Sequence, residues 1–142
     1  MSRVKDILPQ RELFYVEESQ SVADVVRHMS DLNVGAIMVL KNGELCGVFS
    51  ERDLMTRVVL PNRNPASTPV NSVMTTDVAT IEESATAEEA MECMGVNKCR
   101  HLPVTSEGRL VGFLSMRDLM NHELAQKTEE LHHMRAYIHG NT

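Results

Sequence analysis

An internal repeat decides the fold class of this chain. When the sequence is shifted by 65 residues, residues 16–55 lie over residues 81–120 without a gap, and 13 of the 40 pairs are identical. Self-similarity at one fixed offset indicates a duplicated structural unit. A unit of about 60 residues buries little apolar surface by itself. We therefore expect the two copies to pack together about a pseudo-twofold axis, with a cleft on each side.

Each copy shows the same order of predicted elements. A short extended segment precedes a helix, whose apolar residues recur at helical spacing from Val22 to Met29 and from Ala87 to Met94. Two β-rich runs follow, and they are joined by turns that contain Gly43 in the first copy and Gly108 in the second. A second helix then begins at a serine in both copies. The pattern predicts a mixed α/β (α+β) fold built from two β-α-β-β-α repeats.

The repeat also sets the expected domain boundaries. We assign residues 4–60 to the first repeat, residues 61–69 to a Pro-rich linker and residues 70–122 to the second repeat. Residues 123–142 form a C-terminal helix and tail. The apolar positions from Met120 to Ile138 recur at steps of three and four, interrupted by Lys127, which is typical of an amphipathic helix with a narrow apolar seam. Packing against its own domain and docking on a second subunit remain equal alternatives for this helix.

Composition excludes several classes of protein. There are 14 Lys and Arg against 20 Asp and Glu, a net charge of −6, which argues against binding to a nucleic-acid backbone. No apolar run approaches the roughly 20 residues that span a bilayer, and the N-terminus does not resemble a secretory signal. Three cysteines without a CxxC spacing favour reduced thiols. The sequence therefore predicts a cytoplasmic protein without a membrane or nucleic-acid partner.

Motifs for catalysis and metal binding are absent from the sequence. It has no Walker loop, no GxSxG and no HExxH, so we predict neither an enzyme nor a catalytic cofactor. Four histidines occur near the C-terminus, but their spacing favours surface side chains over a metal site. They are His122, His132, His133 and His139.

A Ser-x-Arg-Asp sequence opens the second helix of both repeats. Ser at the N-cap with Asp three residues later forms a capping box, and this structural role alone explains both residues. It does not explain the Arg, because a cation in the first helical turn opposes the helix dipole. The alternative is ligand binding, in which Asp accepts hydrogen bonds from ribose hydroxyls while Ser and Arg bind phosphate. The residues concerned are Ser50, Arg52, Asp53, Ser115, Arg117 and Asp118.

The two repeats differ just before the β-hairpin. The second repeat has Lys98, Arg100 and His101 there, whereas the corresponding residues of the first repeat are uncharged. The basic residues form either a solvated loop or a cluster that faces a phosphate on one side of the module. Any two ligand sites in this chain are therefore unequal.

The duplication, the paired Ser-x-Arg-Asp sequences and the Arg-His-Leu-Pro-Val segment from Arg100 to Val104 resemble a tandem cystathionine β-synthase (CBS) domain pair, or Bateman module. The resemblance covers about residues 4–122. It implies a regulatory module that binds an adenosine-containing ligand such as AMP, ADP, ATP or NAD(H), and that works as a homodimer. With no effector domain in view, an unknown partner protein would receive the signal.

The resemblance further implies two clefts, each lined by both repeats. In one, Asp53 binds the ribose and Ser50 and Arg52 lie near the phosphate. The other residues implied there are Val78, Ala79, Leu102 and Pro103 around the adenine, with Arg100 and His101 facing the phosphates. In the other cleft, Asp118 binds the ribose, Ser115 and Arg117 bind phosphate, and the base is surrounded by Leu13, Phe14, Gly35, Ala36 and Ile37.

One departure from the family pattern bears on ligand choice. Gly35 and Ala36 stand where the second repeat has Arg100 and His101, so the Asp118 cleft lacks cations from that strand. A monophosphate, a neutral adenosine group or half of a dinucleotide remains compatible with it. Two alternative functions stay open, namely a structural or protein-interaction domain without a ligand and a sensor of S-adenosylmethionine.

Overall fold

The computed structural model describes residues 2–9 and 13–140, with side chains to residue 138. The described chain is a mixed α/β protein with two three-stranded sheets. Its elements, in chain order, are α1 (Val4–Ile7), β1 (Tyr15–Glu17), α2 (Val22–Leu32), β2 (Ala36–Lys41), β3 (Glu44–Ser50), α3 (Glu51–Asp53), β4 (Ile81–Glu82), α4 (Ala87–Asn97), β5 (His101–Ser106), β6 (Arg109–Ser115) and α5 (Met116–Gly140).

Packing divides the chain into two compact units that differ from the sequence repeats. One unit is Arg11–Thr80, and the other combines Met1–Gln10 with Ile81–Thr142. The N-terminal segment therefore packs with the second repeat. Residues 61–80, which contain the predicted linker, pack with the first.

In the unit Arg11–Thr80, β2 is the central strand. It pairs in parallel with β1 and antiparallel with β3. Helix α2 begins after Ser21, whose side chain accepts a hydrogen bond from the Asp24 N–H. The helix buries Val22, Val25 and Met29 at helical spacing. These side chains share a core with strand residues such as Phe49, which is fully buried.

The predicted linker and the residues after it are fixed by hydrogen bonds to the same unit. The Val22 N–H donates to the Thr68 carbonyl at 2.8 Å, so the chain after the first repeat returns to the start of α2. Further along, Val48 of β3 and Thr75 form an isolated antiparallel bridge, with both N–H···O distances at 2.9 Å. This bridge brings Thr75 beside the second half of β3.

The other unit has the same sheet topology, with β5 between β4 and β6. Its helix α4 begins after Thr86, whose side chain accepts a hydrogen bond from the Glu89 N–H. Helix α1 joins this unit through the Val4 N–H, which donates to the Ala85 carbonyl at 2.8 Å. The Val4 side chain is fully buried. This buried residue and the backbone bond explain why the N-terminal segment belongs to the second repeat.

The C-terminal helix is longer than its predicted segment. Helix α5 runs without interruption through 25 residues, so the second helix of the repeat and the C-terminal helix are one element. Leu119 is buried, but Leu124 and Leu131 are 66% and 50% exposed. Beyond its first turns, the helix therefore leaves most of its apolar seam uncovered by the described chain. No helix among the described residues is both long and apolar enough to cross a bilayer.

Candidate functional site: two Ser-x-Arg-Asp boxes

The first box lies where β3 ends and α3 begins, and it is a complete capping box. The Ser50 N–H and hydroxyl both donate to Asp53 Oδ2 at 3.1 Å, while the Asp53 N–H donates to Ser50 Oγ at 3.2 Å. These bonds satisfy donors at the start of the helix that have no partner within it. The chain then continues through the π-helical turns Leu54–Val59.

Two further residues of the same unit hold the Asp53 carboxylate. The Thr75 hydroxyl lies 3.1 Å from Oδ1 and 3.3 Å from Oδ2, and the Arg57 Nε lies 3.7 Å from Oδ1. Arg57 is itself held by the Met74 carbonyl, to which its Nη1 donates at 2.8 Å. Asp53 is consequently only 6% exposed, which is rare for a carboxylate and requires these partners.

The second box repeats both backbone capping bonds between its serine and its aspartate. The Ser115 N–H donates to Asp118 Oδ2 at 2.9 Å, and the Asp118 N–H donates to Ser115 Oγ at 3.0 Å. Asp118 is half-buried. At the position of Arg57, the second repeat has His122, whose Nε2 lies 2.9 Å from Ser2 Oγ. The two identical motifs therefore have different surroundings.

The arginine of each box is exposed. Arg52 and Arg117 both lie in the first turn after the N-cap serine, and within residues 2–9 and 13–138 neither guanidinium forms an ion pair. Both side chains are thus available to an anion. This leaves the ligand-binding alternative open beside the capping role that the hydrogen bonds show.

The start of the central strand touches the start of the following helix in each unit. The Glu51 N–H donates to the Gly35 carbonyl at 3.0 Å, and the Met116 N–H donates to the Arg100 carbonyl at 2.8 Å. A Cβ added at Gly35 would lie 3.5 Å from the Glu51 carboxylate. The strand start thus has an acidic neighbour in the first unit, whereas Arg100 itself supplies a cation in the second.

His101 and its neighbours form the opening of β5. His101 is half-buried and stacks on Phe113, with the ring centroids 5.2 Å apart. Leu102 and Pro103 are buried and pair across the sheet with Leu114 and Phe113. Arg100, His101 and the Ser115–Asp118 box therefore share one compact unit.

The remaining predicted site residues divide by exposure. Ala36 and Ile37 are 3% and 1% exposed, so both residues are buried in the sheet. Intermediate burial is found for Leu13, Phe14, Gly35, Val78 and Ala79. Sequence reasoning missed Thr75 and Arg57, because neither belongs to a repeated motif.

Burial affects two of the three cysteine thiols. Cys46 and Cys99 are partly buried, and burial raises the pKa of both thiols. Among the described residues, no cluster of three or more His, Cys, Asp or Glu side chains has the arrangement to hold a metal ion.

A family comparison decides the assignment. The model of the CBS domain family matches the chain twice, at residues 4–60 and 70–125. The chain belongs to the CBS domain family. Both Ser-x-Arg-Asp boxes lie within the matched ranges, so they occupy equivalent places in two CBS repeats.

Individual relatives agree with this assignment. The chain is 34% identical over 125 residues to the mitochondrial CBS domain-containing protein CBSX3 of Arabidopsis thaliana, and the match covers 84% of this chain but 61% of that protein. It is 30% identical over 128 residues to the CBS domain-containing protein YhcV of Bacillus subtilis, covering 90% of each. The chain thus spans less than two thirds of the first relative but nearly the whole of the second.

Solved structures show the same tandem fold. A putative signal-transduction protein with CBS domains from Burkholderia ambifaria superposes with a TM-score of 0.83 at 31% identity, over 87% of this chain and 95% of that chain. The complex of CBSX2 with AMP superposes with a TM-score of 0.74 at 25% identity, over 89% and 99% of the two chains. The predicted CBS pair and its mixed α/β fold are confirmed.

Proposed function

We propose that this CBS pair is a regulatory module that binds an adenosine-containing ligand through its Ser-x-Arg-Asp boxes. The observation that carries the proposal is the duplicated box, in which a shielded carboxylate lies beside an exposed arginine at the start of a helix. A related solved structure contains AMP. Carboxylate, hydroxyl and guanidinium groups together match the hydrogen-bonding groups of a ribose phosphate.

The roles proposed for the residues follow their chemistry. Asp53 and Asp118 accept hydrogen bonds from ribose hydroxyls, and Arg52 and Arg117 bind phosphate. Ser50 and Ser115 fix the carboxylates and offer their hydroxyls. We propose that a further set of residues surrounds the base, namely Leu13, Phe14, Gly35, Ala36, Ile37, Val78, Ala79, Leu102 and Pro103. AMP, ADP, ATP and NAD(H) all carry the required group, and none of them serves as a catalytic cofactor.

The second candidate function is a structural or protein-interaction domain in which both boxes only cap helices. The complete capping geometry of Ser50 and Asp53 favours it. Thermal unfolding and calorimetry with AMP, ADP, ATP, NADH and S-adenosylmethionine separate the two, because a ligand that binds the folded state must raise its apparent stability. Saturable stabilisation by an adenosine ligand supports the sensor. If none of these compounds stabilises the protein at concentrations that saturate ordinary nucleotide sites, the structural domain is favoured.

Substitution of Arg100 tests whether this side chain binds the phosphate groups of the ligand. Arg100 is exposed, and its carbonyl is fixed by the Met116 N–H. Arg100→Ala should weaken ATP binding by roughly tenfold, the effect of losing a hydrogen bond to a charged group, and leave adenosine binding unchanged. Arg109→Ala is the matched control, because this exposed arginine lies at the opposite end of the β5–β6 pair, beside Ser106. An equal loss for ATP and adenosine would contradict the phosphate role proposed for Arg100 and His101.

We also propose that the module acts as a homodimer in the cytoplasm and passes its signal to a partner protein. Each repeat exposes apolar residues at equivalent positions of the helix after its box. Met55 and Val59 are 54% and 61% exposed, and their counterparts Met120 and Leu124 are 60% and 66% exposed. Exposed apolar pairs at matching positions are suited to contact with a second copy. Sedimentation measurements on Met120→Glu and Met55→Glu variants test whether these residues lie in the dimer interface. An unchanged dimer in both variants would show that the interface does not include them.

A further inference from the structure

The last part of helix α5 extends beyond the fold that the family shares. The CBS family model matches the chain to residue 125, whereas α5 continues to Gly140. Every residue from Glu123 to Ile138 is exposed in the described chain. Helices in folded proteins gain most of their stability from packing one apolar face. A helical segment with so little of its surface covered therefore predicts a partner.

The chain's own unit packs against nearly the opposite face of α5 from the apolar seam. Leu119 is buried, and the side chains of His122 and Gln126 each lie 2.9 Å from Ser2 Oγ. At 100° per residue, the seam lies roughly 150° around the helix from these three residues. The seam positions are Met120, Leu124, Lys127, Leu131, Met134 and Ile138. Because α5 is uninterrupted, its own unit cannot cover the distal seam without breaking the helix.

The spacing of the seam fits a second copy of the same helix. Its steps of four, three, four, three and four residues are the a and d pattern of a two-stranded coiled coil. These steps read the same in both directions, so an antiparallel copy places every seam position opposite another one. The three layers so formed are Met120 opposite Ile138, Leu124 opposite Met134, and Lys127 opposite Leu131, each repeated by the symmetry of the pair.

Lys127 favours the antiparallel direction. In a parallel pair, Lys127 would lie beside Lys127 of the second copy, so two like charges would share an apolar layer. In the antiparallel pair it lies opposite Leu131 of the second copy and one residue along the helix from Glu130. Among the described residues, Lys127 forms no ion pair with its own chain. The second copy thus supplies an opposite charge that the ammonium group lacks.

The charge of the segment also permits pairing with itself. Residues 123–138 contain two basic and three acidic side chains, although the whole chain has a net charge of −6. Two such segments therefore repel each other little. We infer that the seam is covered by a second copy of this chain, as an antiparallel helix pair centred at residue 129. This inference rests on the proposed homodimer and specifies the direction and register of its C-terminal helices.

Sedimentation equilibrium tests whether the seam lies in the dimer. Leu131→Glu should raise the dimer Kd by about a hundredfold or more, because the pair loses a buried leucine at two symmetric places. His132→Glu is the matched control, since His132 is exposed and lies outside the seam, and its Kd should stay within about threefold of the wild type. Lys127→Glu and Glu130→Lys should each weaken the dimer, and the double variant should restore it.

Spin-label distances test the direction of the pair. Thr128→Cys and Arg135→Cys place labels on one face of the helix, seven residues apart, in a chain whose three native cysteines are replaced by serine. In an antiparallel pair centred at residue 129, the two labels at position 128 are offset by about 3 Å along the helix axis and those at 135 by about 18 Å. A parallel pair gives the same distance at both positions.

The outcomes separate this inference from the proposed function. Equal Kd values for Leu131→Glu and His132→Glu, or equal label distances at 128 and 135, overturn the inference and leave ligand binding and the homodimer standing. If the cysteine-free chain is not folded by circular dichroism, recovery of the dimer in the Lys127→Glu, Glu130→Lys double variant is the required result, and its absence overturns the inference. A wild-type chain that stays monomeric refutes the homodimer and the inference together, while calorimetry with AMP tests the sensor independently.

Discussion

The close approach of Thr75 to β3 depends on Gly47, and a single added methyl group tests it. A Cβ at Gly47 would lie 2.8 Å from the Thr75 carbonyl oxygen and 2.5 Å from Met74 Sδ. The Met74 side chain can rotate away, but the carbonyl belongs to the backbone bridge with Val48. To reach an ordinary contact of 3.4 Å, the Thr75 backbone must move by about 0.6 Å, which weakens both bridge hydrogen bonds.

The expected cost follows from these contacts. Overpacking against a fixed group costs about 1–3 kcal/mol, and each backbone hydrogen bond contributes about 1 kcal/mol. Replacing Gly by Ala by itself raises the free energy of unfolding by about 0.4–1 kcal/mol, because the unfolded chain loses conformational freedom. We expect Gly47→Ala to lower the free energy of unfolding by about 2 kcal/mol, balancing these estimates.

The duplication supplies a matched control for this substitution. Gly112 is the repeat equivalent of Gly47, and a Cβ there would meet the two Cδ atoms of Leu8 at 3.0 Å. Those atoms end a flexible side chain and can move by a rotation. Gly112→Ala should therefore change the free energy of unfolding by less than about 1 kcal/mol.

Urea denaturation followed by circular dichroism measures both variants, and amide exchange at Thr75 locates the effect. The Thr75 N–H donates to the Val48 carbonyl at 2.9 Å, so its exchange should accelerate in Gly47→Ala and stay slow in Gly112→Ala. Equal destabilisation of the two variants, or unchanged exchange at Thr75, would refute the reasoning.

Three further predictions concern helix α5 and the thiols. Leu119 is 2% exposed and Leu131 is 50% exposed, so Leu119→Ala should cost about 2–5 kcal/mol and Leu131→Ala almost nothing in the isolated chain. A concentration-dependent loss in Leu131→Ala would show instead that a second copy covers this seam. Burial raises the pKa of Cys46 and Cys99, so both should react with a disulfide reagent more slowly in the folded protein than in urea. Because the thiols ionise more easily when unfolded, stability should fall as the pH rises through 9.0, the ordinary thiol value, and an unchanged stability there would contradict the shift.

The elements that the sequence predicted well are those set by local chemistry. The hairpin turns need a positive φ, and Gly43 and Gly108 adopt φ values of 81° and 80°. Ser50 caps a helix because its hydroxyl lies three residues from the N–H of Asp53. Such signals act over a few residues, so a single sequence shows them.

Contacts between distant segments could not be predicted in this way. Nothing in the spacing of Thr75 and Asp53, 22 residues apart, distinguishes that pair from others. The association of Val4 with Ala85 follows from burial and one backbone bond, neither of which leaves a repeating pattern. The continuity of α5 was missed because the repeat length suggested a boundary where the sequence has no helix breaker.

The two boxes show why a motif alone does not determine a site. Both repeats contain the same Ser-x-Arg-Asp residues, and both form the same capping bonds between the serine and the aspartate. The residue four positions after the aspartate is Arg57 in one repeat and His122 in the other, and only Arg57 contacts the carboxylate in the described chain. The neighbours of a repeated motif therefore decide how many acceptor positions of its carboxylate are already used by the chain itself.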